Sequence, residues 1–95
     1  MDKKDGFDAI EYPVDYSFKA VCSLQQSISI NQIEDEIYST IISQLGKVSV
    51  KNISSRKSKA GNYVSVTTMA KLDNRQQLEQ VYKALSSLDI VKLTL

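Results

Sequence analysis

The residues best suited to chemistry lie in the run Ser55-Arg56-Lys57-Ser58-Lys59-Ala60-Gly61-Asn62-Tyr63, where cations are interleaved with small residues. Backbone N–H groups in a small-residue turn, flanked by Arg and Lys, can cradle an anion. Arg56, Lys57, Ser58, Lys59, Gly61, Asn62 and Tyr63 are therefore the candidate loop site for a ligand or partner. The glycine-rich nucleotide fingerprints are absent, and the same run reads equally as a solvated hairpin in which Gly61 and Asn62 supply positive φ. Catalysis finds no such starting point. The chain has no His and one Cys, so it lacks the usual neutral-pH acid–base group and the commonest metal ligand. It cannot close an internal disulfide or build a cysteine zinc cluster. No nucleophile stands with an activating base, and no paired acids converge. The expectation is a non-enzyme with no catalytic residue, cofactor or metal.

These residues need elements to hold them. Asp15 to Cys22 alternates, with Tyr16, Phe18, Ala20 and Cys22 on one face and Ser17, Lys19 and Val21 on the other, which predicts a half-buried strand. Cys22 then packs as a small hydrophobe rather than acting as a nucleophile. Asn31 followed by Glu34 reads as a capping pair opening a helix, whose apolar face is Ile33, Ile37, Tyr38, Ile41, Ile42 and Leu45. Gly46 stands where such a helix ends in a left-handed residue. Glu34, Asp35 and Glu36 would fall in its first turn and oppose the helix dipole, a simpler role than metal binding. Lys47 to Ile53 alternates again, Val48 and Val50 against Ser49 and Lys51. After the loop, Asn62 to Lys71 sets Val64, Val66, Thr68 and Ala70 against Tyr63, Ser65, Thr67, Met69 and Lys71. A second helix begins at Asp73, with Gln76 at the capping position, and runs through Leu78, Val81, Tyr82, Leu85 and Leu88. Tyr38 and Tyr82 read as core. Ile90 to Leu95 closes the chain with Val91, Leu93 and Leu95 against Ile90, Lys92 and Thr94.

The order β-α-β-β-α-β predicts an α+β, ferredoxin-like sandwich, a four-stranded antiparallel sheet with two helices on one face. Right-handed crossovers put the first and third strands at the centre. At 95 residues there is room for one domain. Residues 1–11 are acidic and unpatterned and read as a flexible tail, with Phe7 and Ile10 as points of contact. Residues 12–95 form the domain, opened by Tyr12-Pro13. A lone Cys fits a reducing compartment, no apolar run reaches the ~20 residues that span a bilayer, and the first six residues lack a signal-peptide core. A cytoplasmic protein without membrane contact is the expectation. The net charge of +1 hides a split, −5 over residues 1–46 and +6 over 47–95. Such polarity can steer an anionic partner or favour head-to-tail self-association, though the halves interleave in this fold; a homodimer is the assembly the module reading below allows.

Arg56, Ser58, Lys59, Gly61, Tyr63, Ser65 and Val66 resemble the Ser-Lys-Gly-Asn-Tyr-x-Ser-Val signature of the YbeD-like family of small bacterial proteins. Tyr12-Pro13, Tyr16, Phe18 and Lys19 are similar to that family's opening, Leu78, Tyr82 and Leu85 to its second helix, and Leu88 to Leu95 to its closing strand. The resemblance covers residues 12–95. Ala60 is an extra residue between Lys59 and Gly61, and Cys22 stands where glycine is common. The resemblance implies a ferredoxin-like fold similar to ACT regulatory domains, which bind small effectors at domain interfaces, and a family with no established activity. Fold alone does not fix function.

The strand phases carry one inference of their own. If the apolar faces meet the helices, Lys19, Lys51, Lys71 and Lys92 all project from the open face of the sheet, with Tyr63 and Met69 among them. Each strand contributes a lysine and none an acid. Such a face suits stacked bases and phosphates, although a wet sheet face must be polar in any case and the RRM sequence motif is absent. The functional expectation is a non-enzymatic regulatory or interaction module. It would bind a protein partner or small anionic effector through the loop and the open face. Single-stranded nucleic acid or RNA on the open face is the alternative.

Overall fold

Alternation in β1 (Val14–Ser23) buries Phe18, Ala20 and Cys22 on one side and leaves Ser17 and Lys19 exposed on the other. The structure, a computed structural model, describes residues 10–24 and 28–95. After β1 come α1 (Ile30–Leu45), a 3₁₀ turn at Lys47–Ser49, β2 (Val50–Lys57), β3 (Tyr63–Leu72), α2 (Arg75–Ser86) and β4 (Val91–Thr94). The sheet runs β2-β3-β1-β4 and every pair in it is antiparallel. This is the expected ferredoxin-like α+β arrangement, with β1 and β3 at the centre. The core lies between sheet and helices. Ile33, Ile37 and Ile41 of α1 and Leu78, Val81 and Leu85 of α2 meet Phe18, Ala20 and Cys22 of β1 and Val64, Val66, Ala70 and Leu72 of β3. Of the tail read over residues 1–11, all but Ile10 and Glu11 lies outside the described residues; Ile10 packs against the core.

Both helices start where their caps are strongest, not where the sequence reading set them. α1 is capped by Ser29, two residues before the expected Asn31. The Ser29 hydroxyl accepts from Gln32 N–H at 3.1 Å, and the Gln32 side chain accepts from Ser29 N–H at 2.9 Å, a reciprocal capping box. The earlier start keeps Glu34, Asp35 and Glu36 out of the first turn, so they do not oppose the dipole as expected. Glu34 instead accepts a hydrogen bond from the hydroxyl of Ser55 on β2. Gly46 ends the helix at φ 92° and ψ 153°, positive in φ but outside the left-handed helical well, and its N–H donates to Ile42 O at 2.8 Å. α2 is capped by Asn74, whose side chain accepts from Gln77 N–H at 2.9 Å, one residue later than expected.

Two register shifts decide which residues reach the open face. In β2 the shift falls between Val50, opposite Ala70, and Asn52, opposite Met69, so Lys51 is the extra residue. In β1–β4 it falls between Val21, opposite Leu93, and Cys22, opposite Val91, so Lys92 is the extra residue. A bulge reverses the phase of everything beyond it. Leu93 and Leu95 therefore do not join Val91 on the helix side, as strict alternation predicts. Leu93 sits opposite Val21 on the open face, and Thr94 opposite the buried Ala20.

Candidate functional site

The β2–β3 connection is shorter than the sequence reading made it. β2 continues through Lys57, and the turn spans residues 58–62. Gly61 N–H donates to Ser58 O at 3.0 Å, Ser58 N–H donates to Tyr63 O at 2.8 Å, and the Ser58 hydroxyl accepts from Tyr63 N–H at 3.2 Å. Ser58 is thus the hub of the turn, a role its hydroxyl and main chain share. Gly61 adopts φ 79°, and an added Cβ there would meet no atom within 4 Å, so backbone conformation and not space requires glycine. The turn is tied down at its far side, where Leu24 N–H donates to Asn62 O at 2.9 Å.

Because Arg56 and Lys57 are strand residues, their side chains diverge. Arg56 is opposite Ser65 on the open face, and Lys57 is opposite the buried Val64. Arg56, Ser58, Lys59, Tyr63 and Ser65 surround an open-face hollow of about 430 Å³ with Val21 also in its lining, and Lys57 contributes to its rim. Lys57 and Gly61 also border a second hollow, of about 450 Å³, against Leu24, Ile28, Ser29, Ile30 and Asn31 at the start of α1. Of the seven loop residues, Arg56, Ser58, Lys59 and Tyr63 thus line the open-face hollow, Gly61 the other and Lys57 both, while Asn62 lines neither. Val21 and Ser65 were legible as open-face positions, but their place in the hollow depends on how the hairpin sits over the sheet.

The rest of the open face departs from an all-lysine surface. Asp15 lies on it opposite Lys71, and Lys51 reaches Asp15 at 3.4 Å. The expectation that no strand contributes an acid is therefore wrong, and one end of the face is locally neutralised. Lys92 lies in the β4 bulge, with its ammonium 3.4 Å from Asp89 O. Lys19 stays on the face opposite Thr67. Tyr63, Met69, Leu93 and Leu95 are the exposed large hydrophobics, at 43%, 37%, 53% and 60% exposure. Tyr63, Met69 and Leu93 share the open phase with Lys19, while Leu95, past the end of β4, donates its N–H to Lys19 O at 2.8 Å and accepts from the Tyr82 hydroxyl at 2.9 Å.

Elsewhere the chemistry is quiet. Cys22 is fully buried, and burial, reinforced by the charge of Glu36, pushes its thiol up to about 11. A neutral thiol in that setting is a packing group. The Tyr82 hydroxyl is also pushed upward, first by burial and then by its hydrogen bond with Tyr16, 2.8 Å away. Tyr16, Phe18 and Tyr82 pack edge to face, with ring centroids 4.9 to 6.2 Å apart. Among the described residues no group of acids and cysteine is placed to hold a metal, and no helix is long and apolar enough to cross a membrane.

Comparison with known proteins settles the family. The family model described as a protein of unknown function, DUF493, matches residues 8–95. The chain belongs to the DUF493 family. DUF493 relatives include a UPF0250 protein of Neisseria meningitidis serogroup A, 27% identical over 94 residues that cover 99% of this chain and 98% of that one. A UPF0250 protein of Janthinobacterium sp. is 33% identical over 86 residues, 90% of this chain and 89% of the relative. The solution structure of protein HP0495 from H. pylori matches the fold at TM-score 0.64 and 17% identity, over 99% of this chain and 98% of that one. DUF493 thus bears out the YbeD-like resemblance and leaves function open.

Proposed function

We propose that this DUF493 protein is a non-enzymatic cytoplasmic module that binds a protein partner or a small anionic effector on the open sheet face at the β2–β3 hairpin. One observation carries the reading. Three of the four exposed large hydrophobics among the described residues, Tyr63, Met69 and Leu93, lie on the face that also presents Arg56 and Lys19. A merely solvated face has no need to gather its apolar groups, whereas apolar contacts with an arginine among them are characteristic of recognition surfaces. The hollow bordered by Arg56, Lys59 and Tyr63 gives that face a concave, cationic end. The Asp15–Lys51 pair weighs against the nucleic-acid alternative, which needs an unbroken basic track.

The test is an amide chemical-shift titration of labelled protein with citrate, and separately with a short single-stranded RNA, at low and physiological salt. Capture of partners from lysate is compared between the native chain and Arg56→Ala/Lys59→Ala. The reading expects citrate shifts at Val21, Arg56, Lys59 and Tyr63, or capture that the double variant loses. Lys57→Ala, which changes the opposite phase of the strand, should matter less. Absence of citrate shifts together with capture unaltered by the double variant would overturn it. RNA shifts that persist at physiological salt would put the alternative in its place.

A further inference from the structure

The two edges of β1 are unequally covered. β3 pairs with all of it, from Val14 opposite Leu72 to Ser23 opposite Tyr63. On the other edge β4 pairs only with Ala20, Val21 and Cys22, and the last bond on that side runs from Leu95 N–H to Lys19 O at 2.8 Å. Among the described residues nothing pairs with that edge of residues 14–18, which is left open. In an antiparallel strand the N–H and C=O of one residue face the same neighbour, and successive residues face opposite neighbours. Lys19 and Ser23 face the β4 side, the latter donating to Ile90 O at 3.1 Å. Equal parity puts the main-chain groups of Asp15 and Ser17 on the open edge. Beside it, on the helix side, lies a hollow of about 490 Å³ lined by Tyr16, Glu79, Tyr82, Thr94 and Leu95.

A row of unpaired main-chain groups calls for another extended strand. The open stretch is its own complement. About a twofold axis at Tyr16, Asp15 meets the partner's Ser17 and Val14 meets the partner's Phe18, so each Asp–Ser pair exchanges both of its main-chain bonds. The incoming strand also continues the line of β4. Leu95 lies opposite Lys19, and the partner's Val14 falls at the next place, opposite Phe18. There the bend at residues 12–13 has to carry the partner's chain out of the sheet before the partner's Pro13 reaches the place Leu95 fills. The paired tyrosines come together on the helix side, beside the hollow. The sheet's other free edge, β2, is less suited to self-pairing. It carries Lys51, Arg56 and Lys57 and no acid, so two copies there oppose like charges. Residues 14–18 carry one charge, Asp15, already held by Lys51.

We propose that two copies of this chain pair antiparallel along Val14–Phe18, about a twofold axis at Tyr16, to form one continuous eight-stranded sheet. The pairing uses a strand edge and is independent of what the open face binds. Sedimentation from micromolar to millimolar concentration tests it, with hydrogen exchange of Asp15 and Ser17 followed over the same range. The expected mass rises from 10.6 kDa toward twice that value, and exchange at both amides slows in step with it. Ser17→Pro removes an N–H that no described residue of the single chain accepts, so it should hold the mass at that of one chain. Should that variant lose its fold, the exchange arm decides without it. A mass that stays at one chain throughout overturns the proposal. So does a dimer in which Asp15 and Ser17 exchange freely or protection appears along β2 instead.

Discussion

Thr68 is fully buried on the helix side of β3, and its hydroxyl has no hydrogen-bond partner. A buried unpaired hydroxyl costs stability that a methyl of the same shape would not. Thr68→Val should therefore stabilise the fold by about 1 kcal/mol, raising the midpoint of thermal unfolding by about 5 °C. A decrease would mean that a water or a rotated hydroxyl satisfies this group. Cys22 gives a second test, in pH. Its thiol keeps the proton up to about 11 in the fold, while the unfolded chain releases it near 9. Between those values the folded state binds more protons, so stability is full below pH 9 and falls as pH rises through 11. The loss is on the order of 2 kcal/mol. Tyr82, pushed the same way, adds to the loss on the alkaline side. Urea titrations at successive pH values should show the fall, and Cys22→Ala, less stable at neutral pH, should show a shallower one. The packing role of Cys22 was legible from strand phase alone, because one Cys among Phe18 and Ala20 shares their face.

At the scale of elements, periodicity identified all six strands and helices and misplaced their ends. Caps explain the helices. Ser29 with Gln32 and Asn31 with Glu34 both fit the capping pattern, and the structure uses the first. Ser29→Ala should cost about 1 kcal/mol, while Asn31→Ala, inside the first turn, should be nearly neutral or mildly favourable. Chemical denaturation of the two variants measures the difference, and equal losses would place the cap at neither residue. Bulges explain the strands. A single extra residue at Lys51 and another at Lys92 reverse phase within short segments, and no residue type announces them, since neither is glycine or proline. The bulge at Lys92 is why strict alternation sends Leu93 to the helix side when it lies on the surface. Asp15 needs no bulge: it stands in unbroken register on β1, in the same phase as Ser17 and Lys19, and alternation carried back to the start of the strand places it on the open face. The loop was overextended for a related reason. Ser54 to Lys57 lacks apolar alternation, because β2 is an edge strand whose Arg56 faces solvent and whose Ser55 is occupied by Glu34.

Across the whole molecule the sheet order interleaves the two halves of the chain. β1 pairs with β3 and β4 and never with β2, while α1 packs on β2, β3 and α2. Among the described residues, residues 1–46 therefore contain a strand with no strand partner and a helix whose apolar stripe keeps only β1 to pack on. Residues 47–95 contain a sheet that lacks one of its two central strands, β1. An amphipathic helix of this length is marginal without tertiary contacts, and β3 without β1 exposes the row Val64, Val66, Ala70 and Leu72. Each half prepared alone should be largely unfolded by far-ultraviolet circular dichroism. An equimolar mixture should recover the native signal, because the pairings lost on cleavage can be remade between chains. The charges of −5 and +6 on the halves should speed that recovery at low salt and slow it at high salt, since screening shortens the reach of their attraction. A first half that folds unaided would contradict the pairing order, whereas salt-independent recovery would show that the charge split is spread too evenly over the surface to steer association.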